Sequence, residues 1–225
     1  ASTGMEFVWV AKLNCWVGKY EVTNGEYRKK DRSHDSKDFK GHSLNGDRQP
    51  VVHVNYDDAV AYAKWLTEKD RASGKLPAGY SYRLPTGDEW MTFAQCGDGR
   101  VYPWGDDWPP RSGQAGNYCG QETKALAGSR IPGYSDASIV TCDVEDSWKN
   151  PWGLYGVGGN VWECTSKAPG GAVDAWRGAA WGGNPQDFLR CSFRDACYAS
   201  GRTYATGFRL LLNRQPVPKG ETASG

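Results

Sequence analysis

From Asn150 to Leu212 the chain reads NPWGLYGVGGNVWEC, then WRGAAW, then an Arg-studded run rich in glycine and aromatic residues that closes in GFRLLL. Gly153, Gly156, Gly158 and Gly159 admit backbone angles that a side chain forbids, so Trp152, Tyr155, Val157 and Trp162 can reach a core from an irregular path. Arg177, Arg190, Arg194 and Arg209 carry planar guanidiniums suited to aromatic faces and to paired contacts with carboxylates, which can clamp loops where sheet hydrogen bonds do not reach. The composition agrees: 29 glycines stand where average usage gives roughly 16, beside 13% aromatic residues. Long loops packed on large rings fit that balance.

The 225 residues suffice for one sizeable core, and we expect a single domain over 1–214 with a disordered tail at 215–225, which holds Pro216, Pro218 and Gly220 and little to bury. A formal charge of +1 without a long run of like charge suggests neither nucleic acid nor an anionic membrane as partner. Seven cysteines without a CxxC give neither a complete disulfide set nor a zinc site, and buried thiols are the simpler reading. No apolar run reaches the roughly eighteen residues of a membrane helix, and nothing at Ala1 reads as a signal peptide.

Phe7 to Val10 and Val17 to Val22 read as strands. Thr23 with Glu26, and Thr86 with Glu89, have the spacing of capping boxes that open helices. Asn55 caps a longer helix over Tyr56 to Lys69, where Ala59, Tyr62, Ala63 and Leu66 share one face. The polar stretch Lys29 to Asn45 reads as a solvated loop, with His34, His42 and His53 as surface histidines. Ser138 to Thr141 reads as a short strand within an otherwise irregular region from Trp108 to Ser147.

GKYEVTNGEY, YRLPTGDEW, YPWGD, GLYGVGGNVWE, RGAAW and GFRL, in that order, resemble the formylglycine-generating-enzyme (sulfatase-modifying factor) family. The resemblance implies an α+β, loop-rich variant of the C-type lectin fold with few helices. Family enzymes oxidise a substrate cysteine with two copper-binding cysteines placed after the RGAAW turn. Gly183 and Phe188 occupy those positions here and cannot ligate copper(I). Cys191 and Cys197 lie downstream at a different spacing, so a copper oxidase is the alternative and a non-enzyme the expectation. The family also binds calcium: Gly159 and Val161 carbonyls with the Glu163 carboxylate would supply one structural site, although Gly156 stands where relatives place Asn or Asp. Asn117 and Tyr118 resemble the start of a second site whose acidic partner is missing from the residues that follow. No other cofactor is expected.

A scaffold of this family that lacks the thiols and ends in a segment of Trp, Tyr, Asp, Asn, Ser and Gly, the composition of antibody paratopes, resembles the variable proteins of diversity-generating retroelements. That resemblance implies a ligand-binding segment at about 173–206, with Trp176, Trp181, Gly183, Asn184, Asp187, Phe193, Asp195, Tyr198, Thr203 and Tyr204 as contact positions. It implies a protein or cell-surface ligand, export to the cell surface, and a membrane link only through a lipid anchor outside this chain. An invariant adhesin on the same fold is the remaining alternative.

Overall fold

The computed structural model describes residues 1–123, 126, 130–183, 185–196 and 198–214; Asn184, Cys197 and the expected tail at 215–225 lie outside them. Strands β1 (Phe7–Val10) and β2 (Cys15–Gly18) pair antiparallel, with Trp9 opposite Trp16 and their rings 5.3 Å apart. Three capped helices follow: α1 (Asn24–Tyr27), α2 (Tyr56–Ala72) and α3 (Gly87–Ala94). Each has the reciprocal capping box, with Thr23, Asn55 and Thr86 accepting from the backbone N–H three residues on. Between α1 and α2 lies a small hairpin, β3 (Asp38–Phe39) and β4 (His42–Ser43). Strand β5 (Tyr80–Arg83) leads into α3.

The glycine-rich stretch enters β6 (Trp162–Ser166) and returns antiparallel as β7 (Val173–Arg177). Short β8 (Asp195–Ala196), β9 (Thr206–Gly207) and the closing β10 (Leu211–Arg214) follow. Two four-stranded sheets result, ordered β1-β2-β10-β5 and β8-β7-β6-β9. The last strand therefore sits inside the first sheet, which brings both ends of the described chain together and holds the long loops between them.

Packing follows from these faces. Ala59, Tyr62, Ala63 and Leu66 of α2 are buried against Tyr82, Leu84, Phe208 and Leu210, each large apolar side chain contributing about 1.5–3 kcal/mol relative to exposure. Trp90, Phe93 and Ala94 of α3 pack with Val17, Leu154 and Leu211. Where the two sheets meet, Glu163 and Arg209 are almost entirely excluded from solvent. Glu163 Oε1 accepts from Arg209 Nη2 at 2.7 Å and Nε at 3.0 Å, and its Oε2 accepts from Trp90 Nε1 at 2.8 Å. The remaining Arg209 donors reach the carbonyls of Gly18 at 2.8 Å and Tyr155 at 2.6 Å. One guanidinium thus ties β2, the glycine loop and β6 to the approach of β10.

Three expectations need correction. The second strand begins at Cys15 and ends at Gly18, where the missing side chain admits the Leu210 carbonyl to 3.0 Å from where a Cβ would stand; the chain then turns Glu21 and Val22 inward. Residues 138–141 form no strand, because side-chain amides do the pairing: Asn117 Nδ2 donates to the Val140 carbonyl at 2.7 Å, and Asn160 Oδ1 accepts from the Cys142 N–H at 3.0 Å. His34 is no surface residue; it is half-buried, its Nε2 3.0 Å from the Val52 carbonyl oxygen.

Replacing Arg209 with Met strands a buried carboxylate, a change that costs about 3–5 kcal/mol. At about 2–4 °C per kcal/mol for a domain of this size, the Arg209→Met variant melts roughly 6–20 °C below the parent by circular dichroism. A Tm within a degree or two of the parent would show that the pair holds nothing together.

Candidate functional site

The segment expected to bind ligand runs along β7, around the Ala179–Phe193 turn, through β8 and back to β9. Trp176, on β7, lies half-buried opposite Cys164 on one side and Asp195 on the other. Arg177 beside it is 2% exposed and holds the returning loop: its Nη1 donates to the carbonyls of Cys191, Ser192 and Phe193 at 3.2–3.4 Å. Gly178 makes the turn with φ of 93°, its carbonyl accepting from Gly159 N–H at 2.8 Å.

Rings from several elements then assemble into one hydrophobic cluster with Trp176 at its border. Phe39, Trp181 and Tyr204 form one triad, with centroids 4.4 Å apart for Phe39–Tyr204, 5.0 Å for Phe39–Trp181 and 5.7 Å for Trp181–Tyr204. Phe188 stacks on Phe193 at 4.2 Å, and both lie against Trp162. Above this floor stand the exposed residues. Tyr198 is 74% exposed and Tyr204 41%; the Asp187 side chain is 79% exposed and Gly183 is open. Asp195 and Thr203 are half-buried. The Thr203 carbonyl accepts from His53 N–H at 2.9 Å, and Arg202 forks onto Asp58 at the start of α2 at 2.8 and 2.9 Å, so this loop is pinned while Tyr198 and Tyr204 remain exposed.

Among the expected contact positions, Trp181 is corrected: at 1% exposure it belongs to the floor, because the tight Gly178 turn directs it between Phe39 and the Asn160 loop. Asn184 falls outside the described residues. Phe39, which reading Lys29 to Asn45 as a solvated loop passed over, joins the site from the β3–β4 hairpin; its signal was a lone aromatic ring in a polar stretch.

The thiols are badly placed for chemistry. Gly183 is exposed, and Phe188 is spent in stacking. Cys191 is fully buried, its N–H on the Val101 carbonyl at 2.9 Å, and burial pushes its thiol up to about 12, far from the thiolate that copper(I) or nucleophilic chemistry requires. Cys197 lies outside the described residues.

The proposed calcium ligands fare differently from expectation. Glu163 has its oxygens occupied by Arg209 and Trp90, so the set of Gly159, Val161 and Glu163 does not fit a calcium ion without breaking that pair. The space left by the absent side chain of Gly156 is filled by the Glu21 carboxylate, which a Cβ there would strike. Both Glu21 oxygens are buried without a hydrogen-bond partner, and burial, with Glu163 nearby, pushes this carboxyl up to about 8. Next to Asn117, Tyr118 N–H donates to Asp136 at 2.8 Å; Asp136 also accepts from Ser138 N–H at 2.9 Å, and burial pushes its carboxyl up to about 7. Asn117 Oδ1 is buried and unpartnered. Both Asp136 oxygens are thus taken by backbone N–H groups, and among the described residues no cluster of three or more His, Cys, Asp or Glu could hold a metal. Nor is any described helix long and apolar enough to cross a membrane.

Residues 7–214 match the sulfatase-modifying factor enzyme 1-like domain. The formylglycine-generating enzyme of Thermomonospora curvata is 40% identical over 115 residues, 51% of this chain and 32% of that protein. The inactive C-alpha-formylglycine-generating enzyme 2 of Bos taurus is 35% identical over 137 residues, 59% of this chain and 38% of that protein. The chain thus spans about a third of the length of these curated relatives. Among solved structures, Treponema denticola variable protein 1 superposes with a TM-score of 0.63 at 19% identity, covering 88% of this chain and 84% of that one. The α+β C-type lectin fold of the formylglycine-generating subtype, expected from the sequence, is the fold observed, and this fold occurs in active enzymes and in inactive relatives alike.

Raised carboxyl pKa values give stability a direction with pH. With Glu21 pushed from its ordinary value of 4.5 to about 8, the folded chain binds more protons than the unfolded one between those limits, so stability is greatest below that window and falls as pH rises through it. Thermal melts from pH 5 to 9 should show Tm declining, and Glu21→Gln should flatten the decline. A Tm that rises across this range, or an unchanged slope in the variant, would contradict the assignment.

Proposed function

The chain belongs to the sulfatase-modifying factor enzyme 1-like family, and we propose that it is a non-catalytic, ligand-binding member whose 173–206 segment is diversified by a retroelement and displayed at the cell surface. The observation that carries this reading is the division of labour within the segment. Arg177, Trp181 and Arg202 are committed to the framework, while Gly183, Asp187, Tyr198 and Tyr204 stand outward. Substitutions at exposed positions usually cost a fold little compared with changes to its buried clamps. Tyrosine and tryptophan on such a face supply contact area at low entropic cost, and Phe39 extends it with a ring from outside the segment.

Support for a binding role also comes from what the thiol positions contain. A copper oxidase of the family type needs accessible thiolates after the RGAAW turn; this chain offers a glycine, a stacked phenylalanine and the buried Cys191. The variable protein of Treponema denticola supports the reading through its fold alone. The ligand is a protein or another cell-surface molecule, reached by export through a lipid anchor outside this sequence. No cofactor is required in this reading. An invariant adhesin is the second reading, favoured by the same exposed rings without variation.

Sequencing the 3′ end of the gene in sister isolates tests the proposal. The expected result is substitution concentrated in the codons of Trp176, Gly183, Asn184, Asp187, Phe193, Asp195, Tyr198, Thr203 and Tyr204, with a near-copy downstream carrying AAY codons at those sites. An unchanging segment with no such copy would leave the adhesin.

A further inference from the structure

A second surface, away from the aromatic face, gathers positive charge that is dispersed in the sequence. Ser2, Gly25, Arg28, Lys29, Arg32, Asp47 and Lys69 line a cleft of about 450 Å³. The N-terminal segment, the end of α1 and the last turns of α2 meet there. It contains four cations and one carboxylate in a chain whose formal charge is only +1.

Their commitments separate them. The Arg28 guanidinium is structural: Nη1 pairs with Asp47 at 2.8 Å, Nε donates to the His34 carbonyl at 3.3 Å, and Nη2 donates to the Asn45 carbonyl at 3.1 Å and to its side-chain oxygen. The one acid of the cleft is thereby neutralised. Lys29 donates to the Thr3 carbonyl at 2.5 Å and meets no carboxylate; Lys69 rests over the Trp65 ring at 5.1 Å; Arg32 has no partner among the described residues. Asp70, behind the cleft, is fully buried and occupied by Ser2 N–H at 3.0 and 3.2 Å and by Tyr82 O–H at 2.8 Å. Three cations with no hydrogen-bonded carboxylate therefore line one cleft.

We propose that this cleft binds a phosphate-bearing ligand, with Arg32, Lys29 and Lys69 supplying the charge. A multiply charged anion matches the excess better than a single carboxylate, and a guanidinium fork with two mobile ammonium groups suits tetrahedral oxygens. The phosphate can come from a lipid headgroup or from a free phosphate compound. Arg32 and Lys69 are exposed and bear no load in the fold, so they can be changed without unfolding the chain.

The test uses the folded chain, inorganic pyrophosphate in titration calorimetry, and pelleting with phosphatidylcholine vesicles with and without phosphatidylglycerol, at low salt because exposed charges are screened. The expected result is saturable pyrophosphate binding that weakens by about tenfold or more in the Arg32→Gln/Lys69→Gln variant and is unchanged in Lys75→Gln, an exposed lysine outside the cleft. Pelleting only with phosphatidylglycerol, reversed by pyrophosphate and lost in the double variant, assigns the phosphate to a lipid; pyrophosphate binding without pelleting assigns it to a free compound. No saturable binding of either probe, or equal binding by the double variant, would overturn the proposal.

Discussion

The fold depends on a buried ion pair. Taking Glu163 and Arg209 out of water is expensive, and the pair is tolerated because the carboxylate also accepts from the Trp90 indole and the guanidinium reaches two backbone carbonyls. In a chain whose long loops lack sheet hydrogen bonds, this knot does what a regular ladder does elsewhere. It joins the first sheet, the glycine loop and the second sheet at one point, and Arg177 repeats the device by gathering three consecutive carbonyls of the returning loop.

With the framework secured in this way, the outer side chains of the C-terminal segment face solvent. The floor of rings is fixed by Phe39, Trp162, Trp181 and Phe188, and it presents Tyr198, Tyr204, Asp187 and Gly183 on loops pinned by Arg202 and by the Thr203 carbonyl. After the RGAAW turn the segment holds an open glycine and a stacked ring, neither of which is a thiol.

Much of this was legible in the sequence wherever a local rule governs. Two capping boxes, the Asn55 cap, the α2 face and the fold were readable because they depend on residues a few positions apart, or on motifs in a fixed order. What escaped reading depends on contacts distant along the chain. Asp136 reaches the Tyr118 N–H across an irregular loop, Glu21 fills the gap left by Gly156, and Phe39 joins Trp181 from a hairpin in a polar stretch. Trp181 shows the limit most clearly, since composition cannot tell a ring that lies beneath a surface from one that forms it. The cleft at Arg32 and Lys69 shows it for charge, because no run of like residues announces what α1 and α2 bring together.

The central claim is that framework and display are separate within one segment, and a saturation scan of every position, scored for folded protein by protease resistance, measures this most directly. The account predicts that Gly183, Asp187, Tyr198 and Tyr204 accept nearly all amino acids, while Glu163, Arg177, Trp181 and Arg209 accept almost none. Equal intolerance in the two groups would contradict it, since a surface that cannot change without unfolding the chain cannot be the part that is diversified.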